Sequence, residues 1–221
     1  MRPAGSSATP FSGNPSSGNP SSGDFTTGSR LPFNRFLLFF VPLLLGAAAD
    51  LLTKGYVFEH YFPVEFPFDH SPRWWVEGIF GIQTSTNAGA LFGIGQGYSW
   101  LFASLSIVVL LAILAWLFLF KGAWDRWLTL ALGLIGGGII GNLVDRVGWG
   151  YDPSHPIEIK YHVRDWLHFN LEGVPGFNPW PNFNIADALL VTGAIMLFLH
   201  AFLFAASSET ASAGGKEEWS R

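Results

Sequence analysis

The chain has 221 residues, 49% of them hydrophobic and only 13% charged, with a mean hydropathy of +0.32. That balance belongs to a membrane protein rather than a soluble one. The net charge of −4 comes with no run of basic residues, so no nucleic-acid partner is expected, and the lack of cysteine excludes disulfides, thiolate nucleophiles and cysteine-ligated zinc.

Residues 1–33 are rich in Ser, Gly and Pro and repeat the pentad SGNPS. Too little apolar surface is present there to offset chain entropy, which predicts a disordered tail. Residues 34–206 hold four apolar segments near the roughly 20 residues that a membrane crossing requires. They lie at about 36–52, 98–120, 127–144 and 185–206. Between the first two, "GIFGIQTST" has strand character, and "SSETASAGGKEEWSR", 207–221, reads as a polar cytoplasmic tail. The expected fold is an all-α membrane protein: four transmembrane helices, a small extracytoplasmic β-rich region and a disordered amino-terminal tail.

Lys121 and Arg126 flank the short turn between the second and third segments, and Arg30 and Arg35 precede the first. Positive charge favours the cytoplasmic side, so both termini are expected there, with the long connections 53–97 and 145–184 on the outer face. That topology gathers Asp50, Lys54, Asn87, Asn142, Asp145, Arg146, Asn184 and Asp187 at one membrane boundary. An ionisable residue at mid-membrane costs about 2.5–3.5 kcal/mol on insertion scales and is by default a sign of function. Singly, each has a structural reading: Asn184 as an N-cap with Asp187 three residues on, Asp50 and Lys54 as an i,i+4 pair. Their one-sided clustering argues for a site. Gly133, Gly137 and Gly141, four apart, predict a smooth stripe on the third helix where another backbone approaches closely.

The chemistry follows from the residue types. No Gly-x-Ser-x-Gly elbow is present. His162, Asp165 and His168 are spaced three apart, with His155 and Glu158 nearby, but without an HExxH motif no metal is expected. Paired aspartates fit better: two close carboxyls split their pKa values, so that one takes a proton from water and the other donates to a carbonyl. Asp145, Asp165 and Asp187 compete for those roles, and periodicity does not choose between Asp145 and Asp165.

Five ordered stretches, "DLLTK" (50–54), "NAGALFG" (87–93), "GGIIGNLVDR" (137–146), "VRDW" (163–166) and "NFNIADALL" (182–190), resemble the lipoprotein signal peptidases, the type II signal peptidases of bacteria. The resemblance implies a cofactor-free aspartyl protease of the inner membrane, acting on diacylglyceryl prolipoproteins just before the lipidated Cys. It implies a catalytic dyad of Asp165 and Asp187. Asp50, Lys54, Asn87, Gly89, Asn142, Asp145, Arg146, Asn184 and Ala186 are then supporting residues, in a monomer whose other partners are membrane lipids. Four features depart from the family pattern: Arg164 replaces a small apolar residue, Trp166 replaces Phe, residues 147–162 form an enlarged connection, and "FEHYFPVEFPFDHSPRWW" (58–75) is enlarged as well. The rival expectation is a non-catalytic transporter or scaffold with outer-face carboxylates.

Overall fold

A computed structural model describes residues 31–62, 71–89, 95–176 and 180–218, with side chains to residue 203. The expected disordered tail falls almost wholly outside these residues, as does part of the "NAGALFG" stretch. Four helices are long and apolar enough to cross a membrane. They are α1 (Phe33–Tyr61), α2 (Ser99–Leu114, continued by a π turn over Ala115–Leu119), α3 (Arg126–Arg146) and α4 (Ile185–Glu218). Two of them overrun their expected bounds. Helix α1 continues past Leu52 because Lys54, Val57 and Phe58 are buried on its last turns, and α4 carries helical backbone through most of the expected polar tail.

More than half of the apolar window of α3 is buried, 56%, against 28% in α1, 17% in α2 and 11% in α4. Helix α3 is therefore the packing centre, and its glycines are the reason. A Cβ added at Gly133 would meet the Phe39 carbonyl oxygen at 2.7 Å, and one at Gly137 would meet that of Leu43 at 3.0 Å. One at Gly141 would strike the Asp50 carboxylate, while Gly138 faces Ala186 and Leu190 of α4. The predicted stripe thus admits α1, and an offset glycine admits α4. Phe39, Leu43, Ile113, Leu117, Ala123, Leu132 and Ile139 form the core of the bundle. Leu44, Leu52, Val108, Leu111, Phe198 and Phe202 turn outward, as lipid-facing residues do.

The connections α1–α2 and α3–α4 contribute two strands each to one antiparallel sheet, in the order β1 (Arg73–Val76), β2 (Phe80–Asn87), β3 (Val163–Phe169), β4 (Trp180–Phe183). The all-α expectation therefore describes the spanning segments alone. Gly78, at φ 70°, takes the left-handed position in the β1–β2 turn. "VRDWLHF" forms the interior strand β3, with Ser85 opposite Asp165 and Phe80 opposite Phe169. Below the sheet, Val57, Phe58, Ile82 and Trp166 make a second apolar cluster. That cluster fastens the sheet to the end of α1 and fixes β3 over the mouths of α3 and α4.

Candidate active site

Helix α4 begins with four backbone N–H groups that lack partners within the helix. Asn184 caps it: its Oδ1 accepts from the Asp187 N–H at 2.9 Å, while Asp187 Oδ2 accepts from the Asn184 N–H at 3.3 Å. This is the reciprocal pattern of a capping box. Asp50 reaches across from α1, its Oδ1 accepting from the Ala186 N–H at 2.9 Å. The structural reading of Asn184 and Asp187 as a cap therefore holds, and the cap is also the floor of a polar cluster.

Lys54 is fully buried, and its ammonium group is surrounded by two carboxylates and an amide oxygen. Its Nζ lies 2.7 Å from Asp50 Oδ2, 3.0 Å from Asp145 Oδ2 and 3.0 Å from Asn142 Oδ1. The i,i+4 pair of Asp50 and Lys54 exists, as part of a network spanning α1 and α3. Asn142 Nδ2 donates to Asp187 Oδ1 at 2.8 Å. Asn184 Nδ2 donates to Asn142 Oδ1 at 3.1 Å and to Asp165 Oδ1 at 2.6 Å. The two asparagines thus tie Asp165 of β3 to Asp187 of α4 and both to Lys54.

Asp165 is 4% exposed, whereas Asp187 is half-buried. Burial first, and then the charge of Asp187, push the Asp165 carboxyl up to about 8, against the opposing pull of Lys54. At neutral pH it therefore carries its proton. Asp187 stands at the N-terminus of α4 with a donor on each of its oxygens.

Asp145 is held differently. Arg164 Nη2 and Nε lie 2.7 and 2.9 Å from its Oδ1, the Arg164 N–H donates to Oδ2 at 3.2 Å, and Lys54 shares Oδ2. Arg164 stands where the family pattern has a small apolar residue. Strand alternation turns it to the other side of β3 from Asp165. Its significance was not legible in advance, because only the fold brings residue 164 to residue 145. Arg146 Nη2 donates to the Gly89 carbonyl at 3.1 Å, its guanidinium lies 5.5 Å from the Phe102 ring, and the Gly89 N–H is held by Asn87 Oδ1 at 2.9 Å. Asn87, Gly89 and Arg146 consequently shape the flank of the cluster rather than its centre.

The three residues spaced three apart do not converge. The His162 ring contacts Thr86 Oγ1 at 3.3 Å, His168 contacts Asn182 Oδ1 at 2.8 Å, and Asp165 points to Asn184. Among the described residues no group of three or more His, Asp or Glu is arranged to hold a metal ion.

Fold and site together define a multi-pass membrane protein with a buried carboxylate network at the mouth of its helices. Residues 43–203 match the family model of signal peptidase II. A lipoprotein signal peptidase of Rhodopirellula baltica is 46% identical over 175 residues, covering 79% of this chain and 76% of that protein. One of Bacillus pumilus is 38% identical over 128 residues, 58% of this chain and 72% of that protein. A solved bacterial membrane enzyme has the same fold, with a TM-score of 0.61 at 24% identity over 81% of this chain and 93% of the other. The chain belongs to the signal peptidase II family, and is a membrane-embedded peptidase.

Proposed function

We propose that this protein is an aspartyl endopeptidase that removes the signal peptide of diacylglyceryl-modified prolipoproteins, cutting just before the lipid-bearing Cys, with Asp165 and Asp187 as its dyad. The observation that carries this reading is a buried Asp165 carboxyl joined through Asn184 to Asp187, with burial and the Asp187 charge pushing it up to about 8. Asp187, as carboxylate, removes a proton from water, and the water oxygen attacks the scissile carbonyl carbon. Asp165 gives its proton to the carbonyl oxygen, leaving a neutral gem-diol. Asp187 then protonates the amide nitrogen, the C–N bond breaks, and a gem-diol hydroxyl returns a proton to Asp165, which restores both groups.

Asp145 is poorly suited to either role, since two cations already occupy both of its oxygens. Asn142 and Asn184 orient the dyad, Lys54 balances its charge, and Asp50 with Ala186 fixes the end of α4. The reaction needs no cofactor. A lipid-anchored substrate meets a site at the membrane boundary with its acyl chains still in the bilayer. We place the enzyme in the inner membrane as a monomer, both termini cytoplasmic and the site and sheet near the outer face. Its partners are the prolipoprotein and membrane lipids, not nucleic acid.

The test follows cleavage of a diacylglyceryl prolipoprotein by purified wild type and the Asp165→Asn, Asp187→Asn and Asp145→Asn variants. Wild type cuts, and both dyad variants lose roughly 10²- to 10⁴-fold in rate. Full turnover by folded Asp165→Asn would transfer its role to Asp145, and a wild type that cuts nothing would restore the transporter or scaffold reading.

A further inference from the structure

Residues 147–162 lie between α3 and β3, and part of this segment closes over a single ion pair. Asp145 is 1% exposed, and the Arg164 side chain facing it is 13% exposed. Gly150 packs directly on both: an added Cβ would strike Asp145 Oδ1 and Arg164 Nη2. Tyr151, His155, Ile159, Lys160 and His162 line the small cleft around the pair. On its far side the Arg164 guanidinium lies 5.8 Å from the centre of the Phe58 ring. A guanidinium that grips one carboxylate oxygen with two nitrogens, lies over an aromatic face and is shielded from water holds its partner in one geometry.

That geometry reaches the reacting groups in few steps. Asp145 Oδ2 holds Lys54, Lys54 holds Asn142, and Asn142 donates to Asp187. We propose that Arg164 is a positioning residue for peptide cleavage, acting through Asp145 and Lys54, and that the segment 147–162 serves as its cover. The inference rests on the reading of Asp165 and Asp187 as the dyad.

Arg164 neutralises Asp145, leaving Lys54 shared among Asp50, Asp145 and Asn142. Without it, Asp145 keeps only its share of Lys54 and draws the ammonium toward itself. The groups that act electrostatically on Asp165 are Lys54 from α1, Asp145 and Arg146 from α3, and Asp187 from α4. Added negative charge at Asp145 favours the protonated form of Asp165, so the alkaline limb of the pH profile moves upward.

Two substitutions separate charge from geometry. Arg164→Gln removes the cation; Gly150→Ala keeps every charge and pushes the ion pair apart. Steady-state cleavage of a diacylglyceryl prolipoprotein is measured in detergent across pH 5–10 for wild type, both variants, Arg164→Lys and the dyad variants, with thermal unfolding of each. Expected for Arg164→Gln is a roughly tenfold to hundredfold fall in kcat with little change in KM, and an alkaline limb raised by roughly half a pH unit. Arg164→Lys should return the limb to its wild-type position and recover part of kcat. Gly150→Ala should lower kcat without moving the limb, and it decides the matter if Arg164→Gln does not fold. Folded variants that keep wild-type kcat and limb, or lose only thermal stability, would reduce Arg164 to a structural ion pair. Activity retained in Asp165→Asn or Asp187→Asn would instead sink the dyad reading beneath it.

Discussion

Asp165 and Asp187, the proposed dyad, bear the same side chain in unlike surroundings, a difference that suits an acid and base pair. Asp165 comes from an interior strand, packed beneath a sheet, with one oxygen on an asparagine amide. Asp187 stands in the first turn of a helix with an N–H donor on each oxygen. Activity is expected to follow a bell-shaped pH profile whose alkaline limb lies near pH 8, where the Asp165 proton is lost, and whose acidic limb reports protonation of the base; both belong to the coupled pair. A profile still rising above pH 9 would exclude Asp165 as the acid. The same proton is linked to stability. The folded carboxyl keeps it to about pH 8, while the unfolded one releases it near the ordinary carboxyl value of 3.8. Its contribution is therefore complete below pH 4 and lost as pH rises through 8. Wild type should lose thermal stability over that window in detergent, and Asp165→Asn should lose distinctly less. The three competing aspartates were legible in the sequence; their ranking was not, because it depends on which cations each one meets.

At the scale of elements, α3 does two tasks with one sequence pattern. Its glycines let α1 and α4 approach, and that approach brings Asp50, Lys54 and Asp187 within reach of Asn142 and Asp145. Gly133→Ala would place a methyl group 2.7 Å from a backbone oxygen of α1, which cannot move aside without moving the helix. A loss of about 1–3 kcal/mol is expected in a reversible detergent unfolding titration. Gly55→Ala is the contrast: nothing lies within 4 Å of the added carbon, so helix propensity should leave stability unchanged or raise it by roughly 0.5–1 kcal/mol. Equal effects at the two sites would contradict close packing on the stripe. The stripe at 133, 137 and 141 followed from spacing alone. The extension of α1 to Tyr61 did not, because Val57 and Phe58 are held by Ile82 and Trp166, partners distant in sequence.

For the whole molecule, the two connections α1–α2 and α3–α4 meet at one end of the bundle, where β2 pairs with β3. With no native cysteine, single-cysteine labelling can report topology without background. Ser154→Cys should react with a membrane-impermeant maleimide on intact spheroplasts, and Lys121→Cys only after permeabilisation; the reverse pattern would invert the proposed orientation. Membrane character, four apolar segments and the gathering of polar residues at one boundary were determined by the sequence itself, since hydropathy, segment length and chain direction are local properties that survive without a fold. Tertiary structure alone decided that Asp145 would be held by Lys54 and Arg164 while Asp165 lay buried and joined to Asp187 through Asn184. Strand register and helix packing make those choices, and a carboxyl group acquires its proton affinity from neighbours that only the folded chain assembles.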